Sequence, residues 1–327
     1  MANRTSFHSL LTEAGFAPAP QINAGKKPNL PEIPKADPEE MQALDNNIKQ
    51  NPKYPNAREL GGPEEEALKS EGKDLRNMID QAYVDFIQMP EIKNIPPKPQ
   101  LYLFDSRFIE TTNSFLPFHP APANVLISTE ATKGCSKEEL EFLMSHEAAH
   151  KMIFANPEML QAYMPPNFNS VRADLERQGI APDSQIYPEY LAEMLADELA
   201  IRRTHNPAAA ASALTKAEND VTAFYKETIE NAIPEYEKKI GRKLSPEERE
   251  QALNSALPNM KRASEIISAN SGNPYPPDEV RIEAMRMAQQ RFQEQERNKQ
   301  NPEKPSAPNI PLPQRTPQQE TNPNPPH

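Results

Sequence analysis

Cysteine is almost missing from this chain: Cys135 is the only one in 327 residues. A lone thiol closes no internal disulfide, so nothing marks an oxidising compartment and a cytoplasmic location is expected, with export by a route lacking a cleaved signal left open. Apolar runs are missing too. The opening MANRTSFHSLLTEAGFAPAP has no continuous apolar stretch behind a basic start, so no secretory signal peptide is expected. The longest stretch without a charged residue, Thr111 to Thr129, is broken by Asn113, Pro117, His119, Pro120, Pro122 and Asn124, which excludes a membrane span. Positive charge is in deficit, 36 basic against 47 acidic residues for a net charge of -11. That balance speaks against a nucleic-acid surface and against attraction to anionic membranes, leaving small molecules, peptides and proteins as partners.

Proline, in contrast, is abundant: 37 residues, in a chain only 36% hydrophobic. With a mean hydropathy of -0.80, the whole length is too polar to fold throughout. Nine prolines fall in residues 1–63 and nine in residues 302–327. The expected organisation is therefore a mostly disordered N-terminal segment (1–63), one globular domain (64–297) and a Pro-rich disordered tail (298–327). In the tail, Pro302, Pro305, Pro308 and Pro311 keep the three-residue period of polyproline II. Such a segment can engage the aromatic groove of a partner module, although disordered spacing is its plainer use.

Between the tails the pattern is mainly helical. Leu75, Met78, Ile79, Ala82 and Phe86 recur at helical spacing until Pro90. Short strands are expected at 101–106, 113–118 and 124–129, the last two separated by a His-Pro-Ala-Pro bend that disfavours continued pairing. Ser136-Lys137-Glu138-Glu139 is a capping box opening a helix to about Phe154. Further helices are expected from Pro188 to about His205 and over 208–232, 246–256, 259–269 and 278–297. The fold class is α+β, mainly helical, with a small sheet beside the capped helix.

That helix carries His146-Glu147-Ala148-Ala149-His150. Histidines four apart lie on one helical face, one turn apart, where both imidazoles can meet a single ion. Glu147 beside the first of them can act as general base on a water at that ion, the H-E-x-x-H zinc pattern. The plain alternative is a solvated helix that happens to carry two histidines. A third ligand decides between them, and the candidate is Glu193, followed one turn later by Asp197, which can accept from the outer nitrogen of a ligating histidine. His205 lies 12 residues beyond Glu193, roughly 18 Å along a continuous helix, too far to share the ion. His119, His205 and Cys135 receive no role.

Four segments then resemble one group of enzymes. They are the His146–His150 motif, the run Glu193-Met194-Leu195-Ala196-Asp197, the strands Asn113-Ser114-Phe115 and Asn124-Val125-Leu126-Ile127-Ser128-Thr129, and Tyr275-Pro276-Pro277-Asp278-Glu279-Val280-Arg281-Ile282. In this order, over about residues 100–290, they are similar to the gluzincin metallopeptidases, in particular the HtpX and CAAX prenyl protease family. The resemblance implies a zincin-like domain holding one zinc through His146, His150 and Glu193, with Glu147 as catalytic base. Tyr275 stands where the family often has a histidine, and Tyr275 or Arg281 would assist an oxyanion; the plainer uses are a packed tyrosine and an ion-pair partner for acidic groups near the site. The hydrophobic spans of the family's membrane-embedded members are absent, so the expectation is a soluble zinc endopeptidase of extended or unfolded protein segments. A catalytically inert relative that binds peptides or scaffolds proteins is the alternative.

Overall fold

The computed structural model describes residues 33–116, 119–179, 187–270 and 276–300. The chain divides into two compact units, Met1–Gln290 and Arg291–His327, the boundary falling inside the last helix. Tyr275, residues 1–32 of the N-terminal segment and the proline repeat of the tail lie outside the described residues.

Among the described residues, the first element is one the sequence reading did not expect. Helix α1 (Pro38–Gln50) opens on Asp37, whose carboxylate accepts from the amides of Glu39 and Glu40, with Pro38 in the first turn. Its Leu44 and Ile48 are buried. After a two-residue strand β1 (Arg58–Glu59) come helices α2 (Gly62–Ser70) and α3 (Leu75–Phe86). Strands β2 (Leu101–Phe104), β3 (Thr111–Leu116) and β4 (His119–Ser128) complete one sheet of order β1-β2-β4-β3. β2 and β4 run parallel, while β1 and β3 pair antiparallel to their neighbours. Contrary to the expected bend, pairing resumes across it: His119 partners Leu116, and the irregularity is taken up between Ser114 and Leu116.

All four residues of β2 are buried, so the sheet is covered on both faces. Tyr102, Phe104 and Leu126 cluster with Ile48 of α1 and with Tyr54. By the alternation of a strand, Leu101, Leu103, Val125 and Ile127 point the other way, toward the helical core. This is why residues 38–60 are ordered rather than part of a disordered segment: without α1 one face of the sheet would lie open to water.

The helices that follow are α4 (Thr129–Gly134), α5 (Lys137–Ala155), α6 (Glu158–Ala162), α7 (Phe168–Gln178), α8 (Tyr187–Thr204), α9 (Pro207–Ile240), α10 (Pro246–Asn270) and α11 (Asp278–Gln300). α5 packs against α3, α8, the foot of α9 and strands β3 and β4, and is the hub of the unit. α9 and α10 form an antiparallel pair that runs straight through Pro234 and Pro258, where the sequence suggested ends. The carbonyls those prolines leave free belong to Glu230 and Asn254, both exposed, so water can serve them and the helices continue. Among the described residues no helix is long and apolar enough to cross a membrane.

Candidate metal centre

α5 is capped as its sequence requires: the Ser136 hydroxyl accepts from Glu139 N while the Glu139 carboxylate accepts from Ser136 N. Glu139 is also gripped from α9, by Ser212 Oγ at 2.6 Å and Lys216 Nζ at 2.7 Å. Burial alone would raise this carboxyl, but those donors and the Ser136 amide outweigh it and lower its pKa. Beyond the cap the helix is buried nearly all round, from Leu140 through Ile153. His146, Glu147 and His150 are inside, which sets aside the solvated-helix alternative.

The structure brings the predicted ligands together. His146 Nε2 and His150 Nε2 lie 3.0 Å apart. His146 Nε2 is 3.3 Å from Oε2 of Glu193 and His150 Nε2 is 3.3 Å from its Oε1, the carboxylate being delivered by α8 packed across α5. A tetrahedral zinc with bonds of about 2.0–2.1 Å has donor–donor edges of about 3.3–3.4 Å, which the two His–Glu distances reach and the 3.0 Å His–His separation falls short of. Glu193 Oε2 is buried and makes no aligned hydrogen bond among the described residues. Two imidazole nitrogens facing each other cannot both carry protons at this distance, and a cation between them satisfies all three donors. The residues present therefore fit a metal ion, and His146, His150 and Glu193 form a group able to hold one.

Behind the triangle stands a chain of charges. Asp197 Oδ1 lies 2.9 Å from His146 Nδ1. Arg281 of α11 then donates to both oxygens of Asp197, from Nε and Nη2, each at 2.7 Å. Arg281 is buried, and its Nη2 also comes within 3.8 Å of Glu193. Its guanidinium thus faces the two acids and acts on the site by holding Asp197. The Nδ1 atoms of both histidines are buried without an aligned hydrogen bond among the described residues, and that of His146 has the Asp197 carboxylate beside it.

The electrostatics follow from burial and partners. Burial opposes charge on His146, but Asp197 and Glu193 outweigh it and hold its pKa up at about 10, so the pocket favours positive charge at this point. Burial would raise Glu193, yet His150 and His146 pull it well below the usual carboxylate range. Asp197 is likewise lowered despite burial, chiefly by Arg281. Glu147 goes the other way: burial raises it, only partly offset by the two histidines and by a hydrogen bond from the Thr111 hydroxyl at the start of β3. A carboxyl above its ordinary range beside a ligand set is suited to accept and return a proton.

Two aromatic neighbours escaped the sequence reading. Phe142 and Phe154 flank the histidines at the same four-residue spacing, with ring centroids 6.1 Å from His146 and 6.0 Å from His150 respectively. The signal was available in the spacing of residues 142, 146, 150 and 154, but it only acquires meaning once the face they share is known to carry the ligands. Compared with protein-family models, with curated proteins and with solved structures, the chain matches none.

Proposed function

We propose that this chain is a zinc-dependent endopeptidase acting on extended segments of protein substrates, a soluble and cytoplasmic relative of the gluzincins it resembles. The observation that carries the reading is a buried His146-His150-Glu193 group able to hold a metal ion, with the Glu147 carboxyl buried beside it. Zinc held there by His146, His150 and Glu193 would supply a Lewis acid for the scissile carbonyl and for a water molecule. Glu147 accepts the proton of the attacking water and returns it to the leaving amide nitrogen. Asp197, backed by Arg281, holds the His146 ring so that Nε2 points at the ligand position.

The sheet supports an extended substrate. β3 is an edge strand, while β4 lies between β2 and β3, so β3 offers free backbone groups to a substrate. Thr111 joins this edge to the general base through its hydrogen bond to Glu147. Tyr275 keeps its proposed part as an oxyanion donor, and the Pro-rich tail its proposed part as a ligand for a partner module.

The competing reading, an inert peptide-binding relative, requires the same cleft without hydrolysis. Zinc content and cleavage of unfolded casein separate them, with wild type compared against Glu147→Gln. The peptidase reading expects about one zinc in both proteins and cleavage by wild type alone. Zinc without cleavage by wild type, even after removal of residues 1–32, sinks it, and absence of zinc sinks the ligand assignment as well.

A further inference from the structure

Two of the three ligands share a helix and the third does not. His146 and His150 are four residues apart on α5, so that helix sets their spacing by itself. Glu193 arrives on α8, and nothing local to α8 fixes how far it is turned or slid against α5. Side-chain tips lie about 5–6 Å from a helix axis, so a rotation of about 20° carries one through roughly 2 Å, the length of a zinc–ligand bond. The rotation of α8 has to be held from other elements.

The grip lies along one stripe. Tyr190, Glu193 and Asp197 follow one another at offsets of three and four, on one face of α8. Asp197 is held by Arg281 of α11. One turn on the other side of Glu193, the Tyr190 hydroxyl donates to Asp174 Oδ2 of α7 at 2.8 Å. Tyr190 is fully buried and Asp174 is 4% exposed. The Asp174 carboxylate is fixed in turn by Gln178 Nε2 at 2.7 Å and by the Arg177 guanidinium. Burial, and then the charge of Asp174, raise the pKa of Tyr190, so its hydroxyl stays a donor. The two gripping helices are tied together as well, for Asn167 Nδ2, at the head of α7, donates to the Val280 carbonyl of α11 at 2.8 Å and to Glu283 at 3.2 Å. The turn that carries Glu193 thus sits between two buried anchors.

Packing accompanies this grip without replacing it. Val171 and Leu175 of α7 meet Tyr190, Leu191 and Met194 of α8 and Ala284 of α11 in one cluster. Apolar contact is non-directional and tolerates small turns of a helix, whereas a hydrogen bond weakens steeply once its angle opens. From the pinned stripe we propose that Asp174 is a positioning residue for the metal centre: through the Tyr190 hydroxyl it fixes the rotation of α8 and so aims Glu193 at the ion. The role rests on the metal centre of the peptidase reading and needs metal binding only, so it holds equally for a centre that does not hydrolyse.

The test measures the zinc affinity of the full chain by competition with a chromophoric chelator, and the visible absorption of cobalt(II) taken up in place of zinc, which follows the geometry of the ligands. Tyr190→Phe removes one hydroxyl and keeps the ring. It is expected to weaken zinc about tenfold, the lower end of what partners behind metal ligands contribute, and to change the cobalt band. Asp174→Ala should match it, and the double variant should be no weaker than either one, since both remove the same bond. Asp174→Asn keeps an acceptor oxygen and should recover most of the affinity. Val171→Ala loosens the same cluster but leaves the bond, and should leave both readouts unchanged. Unchanged affinity in Tyr190→Phe, additive losses in the double variant, no recovery in Asp174→Asn, or an equal loss in Val171→Ala each overturns the proposal, the last by reducing the effect to packing. If Asp174→Ala fails to fold, the comparison of Tyr190→Phe with Val171→Ala decides alone. Casein cleavage by wild type is read in parallel. Weakened zinc in Tyr190→Phe without any cleavage by wild type leaves the positioning role standing and removes only the peptidase reading, whereas cleavage with unchanged zinc affinity in Tyr190→Phe does the reverse.

Discussion

α5 and α9 are neighbouring helices in opposite situations. Of the 19 residues of α5, 14 are buried, while in the 34 residues of α9 only Pro207, Ala210, Ala213, Leu214 and Ile233 are. Along most of α9 charged side chains face water, and the Lys239–Glu235 pair at 3.6 Å leaves both groups more than 70% exposed, although Lys216 reaches back to Glu139 of α5. On α5 water is not available, so each polar side chain must find a partner inside the protein or a ligand. His146 finds Asp197, Lys151 donates to the Pro97 carbonyl, and the two histidine Nε2 atoms with Glu193 find each other. The difference shows where chemistry resides in this molecule: a buried polar group without adequate protein partners is expensive, and one retained in a core implies something else that stabilises it.

The contrast can be broken most forcefully at Arg281. Arg281→Met leaves Asp197 buried without its two donors, and we expect a loss of about 3–5 kcal/mol in urea unfolding, against a smaller loss for Arg281→Lys. An unchanged midpoint for Arg281→Met would mean that the interior of this site is wetter than its burial indicates. Next in size, Asp197→Asn should loosen the orientation of His146 and weaken zinc binding about 10–100-fold, measured by competition with a chromophoric chelator. Capping sharpens the comparison from the other side, because a cap serves backbone amides whatever the rest of the helix faces. Ser136→Ala on α5 and Asn206→Ala on α9, whose side chain accepts from Ala209 N, should each lower stability by about 1 kcal/mol. Smallest of all, Lys239→Ala should change stability by no more than about a few tenths of a kcal/mol, which a melting curve at two salt concentrations will check.

Local chemistry made the ligand helix readable from the sequence. The capping box at Ser136 fixes where α5 starts, and the spacing of His146, His150, Glu193 and Asp197 is meaningful within single helices. The same local logic applied to Asp37-Pro38-Glu39-Glu40, a signature equivalent to Ser245-Pro246-Glu247-Glu248, would have announced α1; the proline count of the surrounding segment masked it. Pro234 and Pro258 misled in the opposite direction, since whether a proline ends a helix depends on whether water reaches the carbonyl it orphans. Arg281 belongs to a third kind of case. Its partner Asp197 is 84 residues away, and no periodicity connects them, so the ion pair is visible only in three dimensions. The second covered face of the sheet was hidden for the same reason, as Ile48 meets Phe104 across a gap in sequence that no local pattern spans.

The distance between Asp197 and Arg281 also sets an order of events during synthesis. The ribosome delivers His146, His150 and Glu193 well before the guanidinium that steadies their support, and until α11 emerges Asp197 is an acid in a forming core with no cation bound to it. A nascent chain that has completed α8 therefore holds its metal-ligating groups without the means to keep them aimed. The arrangement of the ligands is thus completed by one late arginine, 84 residues beyond the acid it holds.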